Sequence, residues 1–325
     1  MDRSRPRFSN RPGLPFTIRL KHFEMSKMSP QIAVIIVAWN NYNSTQECIE
    51  SILNQRFVEV RIFLVDNGSK IEPLDRLIDE FPMIKYIRSN TNLGFAAGTN
   101  LGLRKALATN SDHFLIINND TRADEFMLKE LLLASMDEDI GLTAPIIYYY
   151  DEPDRIWSSG GEINKFFLMP LDSHNTQRII SCPTKRTFVS GCCFLLKREV
   201  LEQIELFDER FFMYFEDLDF CKRINETKWL MMVIPSAKLW HKVSQSSGGQ
   251  YSVRERYYYG LSSGIYFRKH MKVANAIPVT LFRLGSALKM TIKLMLRRET
   301  KVLSSYLKGL YRGWTMKSLD KEKNQ

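Results

Sequence analysis

The sequence predicts an α/β fold in which a mostly parallel sheet carries helices on both faces. Short, continuous apolar runs such as QIAVIIVAW and HFLIIN have the composition of strands that are buried on both sides. Helical patterns separate these runs along the first half of the chain. Strands that alternate with helices at this spacing are typical of parallel sheets, because each return to the sheet needs a crossover.

The first half of the chain gives four strands in order, each followed by a turn or a helix. QIAVIIVAW is a strand, NNYNS is a turn, and Ser44 is expected to cap a helix over TQECIESILNQ. VEVRIFLVDNGS is the second strand with LDRLIDEF as its helix, and IKYIRS is the third. NTNLGFAAGTNLGLRKALATN is a glycine-rich turn that leads into a helix. HFLIINND is the fourth strand, and DEFMLKELLLASM is a helix.

The second half is less periodic, and it ends in a helical tail. GLTAPIIYYY, TFVSGCCFLLK and WLMMVIPSAKLWHKVS read as strands. We therefore expect a folded α/β domain over residues 30–267 and basic amphipathic helices, one or two, over residues 268–325. In helical projection one side of the tail carries the cations Arg283, Lys293, Arg297, Lys301, Lys308 and Arg312. The other side carries Leu281, Leu284, Leu288, Ile292, Met295, Val302, Tyr306 and Leu310.

The net charge of +10 is concentrated at the two ends of the chain. Residues 1–29 hold seven Lys/Arg and two acids, and residues 268–325 hold fourteen Lys/Arg and three acids. The prolines and arginines of residues 1–29 predict a basic disordered arm. Basic ends on an acidic middle fit an anionic membrane surface better than a nucleic acid, so we predict no nucleic-acid partner. Docking of the tail onto the folded domain and an oligomer contact are the alternatives.

The sequence predicts a cytoplasmic protein that associates peripherally with the inner face of the cell membrane. No run of 18 uncharged apolar residues predicts a membrane-spanning helix, and the N-terminus lacks the apolar segment of a secretory signal peptide. The five cysteines show neither CxxC nor metal-ligand spacing and are interpreted as reduced thiols.

Polar residues cluster where the predicted strands end. Since ligands of open α/β sheets bind beyond the carboxyl ends of the strands, these clusters should meet at one site. Asp66 either forms the turn after its strand or accepts hydrogen bonds from a base or ribose. Asp120 either caps a turn or binds a divalent cation together with neighbouring amide oxygens. The clusters are Asn40 with Asn43, Asp66 with Asn67, and Asn118, Asn119 and Asp120.

Further candidates lie in three later segments. The turn at Gly94 allows either tight helix packing or the approach of phosphates to backbone amides. His241 is either a packed imidazole or a nitrogen ligand for the metal. In FEDLD, Asp217 or Asp219 can cap the following helix, while another of the acids faces the cleft as a general base. Glu216 is either the base itself or an acceptor ligand.

Seven ordered segments together resemble the family 2 glycosyltransferases of the GT-A fold. The resemblance runs from about residue 32 to about residue 247, and the nearest subgroup by pattern is the rhamnosyltransferase-like bacterial enzymes of cell-surface polysaccharide synthesis. It identifies the domain of residues 30–267 as a catalytic domain. The segments are VIIVAWNNYN, LVDNGS, NLGFAAGTN, INNDT, VSGCCFLLKREVL, FDERFFMYFEDLDF and WH.

The resemblance implies an inverting transfer from a nucleoside-diphosphate sugar to a hydroxyl of a lipid-linked or other glycan acceptor. The donor would be dTDP-rhamnose or a UDP-sugar. Asp217 matches the catalytic base and would face the cleft, which leaves Asp219 as the expected cap of the following helix. Asp120 matches the metal-binding DxD motif, whose first acid is replaced by Asn118 here. Mg²⁺ or Mn²⁺ is the implied cofactor, with His241 as a further ligand. The implied donor-binding residues are Asn40, Asp66, Asn67, Gly94, Asn119 and Asp120, and the implied acceptor-binding residues are Gly191, Tyr214 and Glu216.

Two other functions compete with this interpretation. A nucleotidyltransferase also uses an α/β sheet and a metal, but it normally has a basic phosphate-binding loop near its N-terminus, and AWNNYNSTQ contains no Lys or Arg. A catalytically inactive sugar-nucleotide or polysaccharide-binding protein is the second alternative. The presence of Asp120, Asp217 and His241 favours an enzyme.

Overall fold

The computed structural model describes residues 31–171, 180–243 and 251–316, so the predicted arm of residues 1–29 lies outside the described residues. Its strands are β1 (Gln31–Ala38), β2 (Glu59–Asp66), β3 (Lys85–Arg88), β4 (His113–Asn118), β5 (Thr121–Ala123), β6 (Ile140–Tyr149), β7 (Ile156–Ser158), β8 (Glu162–Ile163), β9 (Pro170–Leu171), β10 (Thr184–Arg186), β11 (Cys193–Lys197) and β12 (Leu230–His241). Its helices are α1 (Tyr42–Leu53), α2 (Arg76–Glu80), α3 (Gly94–Leu107), α4 (Met127–Ser135), α5 (Arg198–Gln203), α6 (Glu216–Ile224), α7 (Val253–His270), α8 (Ala276–Leu296) and α9 (Thr300–Thr315).

One large sheet has the strand order β10-β12-β6-β11-β4-β1-β2-β3. The strands β3, β2, β1 and β4 are parallel neighbours, and β6 is parallel to β12. From β3 to β12 in the described sheet, β11 is the one strand that runs antiparallel to both of its neighbours, β4 and β6. The predicted mostly parallel α/β fold is therefore confirmed.

Helices cover both faces of the sheet, which explains the continuous apolar run of β1. Ala33 and Ile35 pack into a core with residues of α3, α5, α6 and α7. Val34 and Ile36 point the other way, into a core with residues of α1, α2 and α4. All four side chains are fully buried.

The expected helix cap at Ser44 is wrong. The helix α1 begins at Tyr42, and Asn41 occupies the position before it. Asn40 and Asn41 have φ angles of 56° and 61°, the left-handed conformation that asparagine tolerates better than most residues. This turn starts the helix early and places Ser44 inside it, where the side chain is buried.

The described part of the predicted tail consists of α8 and α9. The preceding helix α7 continues past the predicted boundary at residue 267 to His270. The helix α9 packs closely along α7, since a Cβ on Gly309 would lie 2.1 Å from the carbonyl oxygen of Tyr257, and one on Gly313 would lie 2.2 Å from that of Leu261. Among the helices of the described residues, none is long and apolar enough to cross a membrane.

Candidate active site

A cavity of about 950 Å³ lies where β1, β4 and β12 end. The segment before β11 and the first turns of α6 and α7 complete its walls, so distant parts of the chain contribute to one cleft. This is the position at which open α/β sheets bind ligands. Of the predicted site residues, Asn67, Gly94, Asn119, Asp120, Gly191, Tyr214, Glu216, Asp217 and His241 line the cavity.

Asp120 and His241 meet because of strand pairing. Asp120 lies between β4 and β5, and β5 pairs antiparallel with the end of β12, which places His241 opposite Thr121. The amide of Lys242 also donates to the carbonyl oxygen of Asp120 at 2.9 Å. Nε2 of His241 consequently lies 3.2 Å from Oδ1 of Asp120, and both side chains are buried.

The Asp120–His241 pair has the chemistry of an incomplete metal site. Oδ1 of Asp120 forms no hydrogen bond with the described residues, so the short contact with His241 lacks hydrogen-bond geometry. A carboxylate oxygen and an imidazole nitrogen that converge on a cavity suit a divalent cation. In the described ranges no group of three His, Cys, Asp or Glu side chains is placed to hold a metal. The remaining ligands would have to come from a substrate and water.

The loop before α6 holds the backbone in an uncommon conformation. Tyr214 and Phe215 have φ angles of 70° and 66°, which is rare for residues with large side chains and costs free energy. The ring of Phe215 is buried, with centroids 5.4 Å from Tyr259 and 5.6 Å from Tyr266 of α7. We infer that this packing offsets the strain and fixes the first turn of α6, which begins at Glu216.

Asp217 is held in a defined orientation by two backbone amides. Its Oδ2 accepts a hydrogen bond from the amide of Gly191 at 2.9 Å, and its Oδ1 accepts one from the amide of Leu218 at 2.8 Å. Burial raises the pKa of Asp217 above its ordinary value, although the two hydrogen bonds act in the opposite direction. The carboxylate is therefore both oriented and more basic than an exposed aspartate.

Glu216 has a different environment from its neighbour. Burial, together with the carboxylate of Asp217, raises the pKa of Glu216 well above its ordinary value. Its Oε2 has no hydrogen-bond partner among the described residues. These conditions favour the protonated form of Glu216, whereas the two amide hydrogen bonds favour the ionised form of Asp217.

The expected helix cap at Asp219 is also wrong. Asp219 is fully buried and points toward α7, where Nε2 of His270 and Nζ of Lys269 each lie 2.7 Å from its Oδ1. Nε of Arg223 lies 3.0 Å from its Oδ2. Burial raises the pKa of Asp219, but the hydrogen bond from His270 and the charges of Lys269 and Arg223 lower it below the ordinary value. Asp219 thus joins α6 to α7.

Asn40 and Asp66 do not line the cavity, because their side chains hold the turn after β2. Asp66 is fully buried and accepts hydrogen bonds from the amide of Ser69 at 2.8 Å and from the hydroxyl of Tyr86 at 2.7 Å. Oδ1 of Asn40 accepts from the amides of residues 70–72 at 3.0–3.4 Å. In this structure Asp66 therefore has the turn-forming role that was the alternative to base recognition.

Asn67 and Gly94 line the cavity, but their hydrogen bonds and close packing are with neighbouring parts of the protein. The side chain of Asn67 accepts from the amide of Leu93 and donates to the carbonyl oxygen of Gly94, both at 2.9 Å. Gly94 has a φ of +83°, and a Cβ there would lie 2.3 Å from the carbonyl oxygen of Phe212. Its amide already donates to Oδ1 of Asn92 at 2.9 Å. Tight packing therefore accounts for Gly94.

Comparison with known proteins decides the family. The Glycosyl transferase family 2 model matches residues 33–205, which is more than half of the chain. The chain belongs to glycosyl transferase family 2. The N-acetylglucosaminyl-diphospho-decaprenol L-rhamnosyltransferase of Mycobacterium tuberculosis is 24% identical over 212 residues, which cover 58% of this chain and 68% of the relative. The dTDP-rhamnosyl transferase RfbF of Shigella flexneri is 23% identical over 220 residues, covering 68% and 72%.

Solved structures confirm that this family 2 glycosyltransferase has the GT-A fold. Mannosyltransferase PcManGT from Pyrobaculum calidifontis, in complex with GDP-Man and Mn²⁺, gives a TM-score of 0.56 at 13% identity and covers 90% of this chain and 89% of its own. GalNAc-T7 with UDP, GalNAc and Mn²⁺ gives 0.59 at 16% identity, covering 74% and 48%. The family and the rhamnosyltransferase-like resemblance predicted from the sequence are thus confirmed.

The sequence did not predict that Arg254 lies in the cleft of the glycosyltransferase. Arg254 lies in the first turn of α7 and lines the cavity, with its guanidinium 5.0 Å from the ring centroid of Trp39 and 5.6 Å from that of Phe212. No carboxylate of the described residues forms an ion pair with it. Its cation is therefore available to an anionic ligand. In the sequence, RERYYY resembles an ordinary polar helix start, and only the mixture of cations and aromatic residues could have indicated the site.

Proposed function

We propose that the chain is an inverting glycosyltransferase that moves a sugar from a nucleoside diphosphate to an acceptor hydroxyl. The observation that carries the proposal is the placement of Asp217. Two amides orient its carboxylate at the wall of the same cleft that Asp120 and His241 line. Such a displacement requires a base that accepts the proton of the acceptor hydroxyl and a site that holds the diphosphate leaving group.

The proposed reaction is a single displacement. The Asp217 carboxylate accepts the proton of the acceptor hydroxyl as the oxygen forms a bond to the anomeric carbon. The bond between that carbon and the diphosphate oxygen breaks, and the nucleoside diphosphate leaves with the electron pair. Because the acceptor attacks from the face opposite the leaving group, the anomeric configuration inverts. Glu216, in its protonated form, donates a hydrogen bond in the acceptor half of the cleft.

We propose that Asp120 and His241 hold a divalent cation, Mg²⁺ or Mn²⁺, together with the donor. A bound cation would neutralise charge on the departing diphosphate. Two protein ligands fit this assignment, since such cations commonly take phosphate oxygens and water as their remaining ligands. Asn119 lies beside the pair, and its amide donates to the hydroxyl of Thr45 at 2.9 Å, which ties the Asp120 turn to α1.

Arg254 is proposed as a second diphosphate-binding group. It is a fixed cation at the start of a helix, where backbone amides also favour negative charge. The planes of Trp39 and Phe212 hold the guanidinium at the cleft through cation–π contacts. An arginine so placed can donate two hydrogen bonds to phosphate oxygens.

The donor is proposed to be dTDP-rhamnose or a UDP-sugar, and the acceptor a lipid-linked or other cell-surface glycan. The names of the relatives from Shigella flexneri and Mycobacterium tuberculosis support a rhamnosyl donor. Of the predicted nucleotide-side residues, Asn67 is kept in the proposal because it lines the cleft, whereas the side chains of Asn40 and Asp66 hold the turn after β2. Gly191 and Tyr214, with Glu216, form the proposed acceptor side, where Tyr214 lines the cleft and offers an aromatic surface to a sugar.

A panel of nucleotide sugars tests the proposal. The full chain is incubated with dTDP-rhamnose, UDP-sugars and GDP-mannose, with and without EDTA, in the presence of glycan acceptors. The expected result is release of nucleoside diphosphate with one donor and a product of inverted anomeric configuration by NMR. Conversion of a nucleotide sugar and added pyrophosphate into a nucleoside triphosphate and a sugar 1-phosphate would instead indicate a nucleotidyltransferase. Donor binding without turnover of any acceptor would indicate a binding protein.

A further inference from the structure

The helix α8 turns its apolar residues to solvent, which is the reverse of an ordinary surface helix. Successive members of the row are three or four positions apart, so they share one face. The row spans eighteen residue steps, or about 27 Å of helix. Its exposed members, here called the α8 ridge, are Ile277 (74%), Leu281 (65%), Leu284 (63%), Leu288 (61%), Ile292 (48%) and Met295 (62%).

The opposite face of α8 is anchored to the protein. Val279 and Leu294 are fully buried, and Arg283 is only 6% exposed. The guanidinium of Arg283 donates to the hydroxyl of Ser263 at 3.0 Å and lies 4.5 Å from the ring centroid of Phe267, both on α7. The cationic side of the helix therefore faces inward at this point, and these contacts fix the ridge on the outside.

The charges around the ridge restrict what can cover it. Residues 276–316 contain eight Lys/Arg and only one acid, Glu299. Lys289, Arg297, Arg298 and Lys301 are exposed. Exposed apolar residues and exposed cations on one helical segment match the interface of an anionic bilayer, which presents negative headgroups above an apolar interior.

A second copy of the chain and the arm of residues 1–29 are both poor partners for the α8 ridge. A second copy, related by a twofold axis, would bring the same cations against one another. The arm of residues 1–29 carries seven Lys/Arg and two acids, so it too would add positive charge to positive charge. An anionic lipid surface is the partner that satisfies both the apolar row and its charges.

The α8 helix also contacts the mouth of the cleft. Nζ of Lys293 donates to the hydroxyl of Tyr251, and the guanidinium of Arg297 lies 4.8 Å from the centroid of the same ring. Tyr251 lines the cavity. We propose that the α8 ridge inserts into the interface of an anionic bilayer and holds the cleft mouth at the membrane surface. The membrane binding does not depend on the proposed transfer chemistry.

Vesicle binding tests the proposal. The full chain is sedimented with phosphatidylcholine vesicles that contain or lack phosphatidylglycerol, and the double variant Leu281→Gln/Leu288→Gln is compared with it. We expect the parent to bind the anionic vesicles, and the double variant to lose about tenfold or more of its partition coefficient. A matched control, Met83→Gln/Met136→Gln, changes side chains that are 60% and 50% exposed elsewhere and should bind like the parent.

Circular dichroism and turnover with a soluble acceptor separate insertion from misfolding. The circular dichroism spectrum and the turnover rate of the double variant should equal those of the parent. A second double variant, Leu284→Gln/Ile292→Gln, repeats the vesicle test on the same ridge. Equal vesicle binding by parent and both ridge variants would overturn the proposal, as would absence of binding by the parent. A dimer in sedimentation velocity that the ridge variants dissociate would show a contact between copies instead. Binding that appears only after deletion of residues 1–29 would identify the arm as the occupant.

Discussion

The amide of Gly191 donates a 2.9 Å hydrogen bond to Oδ2 of Asp217, and the glycine has no side chain where a Cβ would lie only 3.0 Å from the Cβ of Asp217. The two residues come from different elements: Gly191 lies just before the strand β11, and Asp217 lies in the first turn of the helix α6. Close backbone approach is thus the means by which the proposed base is oriented. The conformation of Gly191 is accessible to other residues, so the constraint is space rather than φ.

Gly191→Ala should lower kcat by about tenfold, because a displacement of the base by a fraction of an ångström is enough to disturb proton transfer. The added methyl group would push Asp217 away from the amide, while the melting temperature should change little. Steady-state rates of nucleoside diphosphate release measure the effect. Gly285→Ala is the matched control, since a Cβ there has no neighbour within 4 Å. Equal activity of the two variants would show that the close approach is not needed.

Glu216→Gln should preserve activity and change the pH dependence of stability. In the unfolded chain Glu216 ionises near its ordinary pKa of 4.5, whereas burial and Asp217 keep it protonated to higher pH in the folded chain. The free energy of unfolding should therefore fall as the pH rises from 4.5 to the raised folded value, and level off above it.

The Glu216→Gln variant should lack this slope and keep kcat within about tenfold, since glutamine resembles the protonated acid in shape and hydrogen bonding. Urea unfolding between pH 4 and 9 measures the slope. Identical pH profiles of stability for the parent and the variant would show that Glu216 ionises normally.

His241→Ala should weaken metal activation. The variant retains Asp120 but loses the nitrogen donor 3.2 Å away, so the Mn²⁺ concentration for half-maximal activity after EDTA treatment should rise about tenfold or more. Electron paramagnetic resonance of Mn²⁺ with the nucleoside diphosphate provides a readout that does not need turnover. His113→Asn, at the opposite end of β4, is the control. An unchanged Mn²⁺ requirement in His241→Ala would remove this histidine from the metal site.

Arg254→Ala should raise the KM for the donor by about tenfold to a hundredfold and should lower kcat by less. This is the range for a lost hydrogen bond to a charged group. Arg254→Lys should recover only part of the loss, because lysine cannot form the planar fork or stack equally on Trp39 and Phe212. Arg155→Ala, which removes an exposed ion pair with Glu152 and a cation–π contact with Tyr149, is the control. Normal donor affinity in Arg254→Ala would place the diphosphate elsewhere.

The sequence predicted those parts of the fold that depend on local patterns. The apolar runs of β1 and β4 marked the buried strands, and the rule that ligands bind beyond strand ends located Asp120 and the cleft. It could not predict the partners of Asp66. Tyr86 lies on the next strand, and its hydroxyl reaches that carboxylate only through the register of β2 and β3.

Other features depended on contacts between distant segments. The proximity of Asp120 and His241 follows from the pairing of β5 with β12, and the ion pairs of Asp219 follow from the packing of α6 against α7. For α8, the sequence pattern predicted an apolar face and a cationic face. It did not show which of these faces packs against the rest of the protein. Contacts of Arg283 with α7 decided that, and they exposed the apolar face.

Asp217→Asn tests the assignment of the catalytic base most directly. The variant keeps the shape of the side chain and can still accept a hydrogen bond from the amide of Gly191, but it cannot accept the proton of the acceptor. We expect kcat to fall by about a thousandfold, within the range for loss of a general base, while calorimetry shows nearly unchanged affinity for the nucleoside diphosphate. Near-normal turnover by Asp217→Asn, or an equal loss in Glu216→Gln, would contradict the assignment.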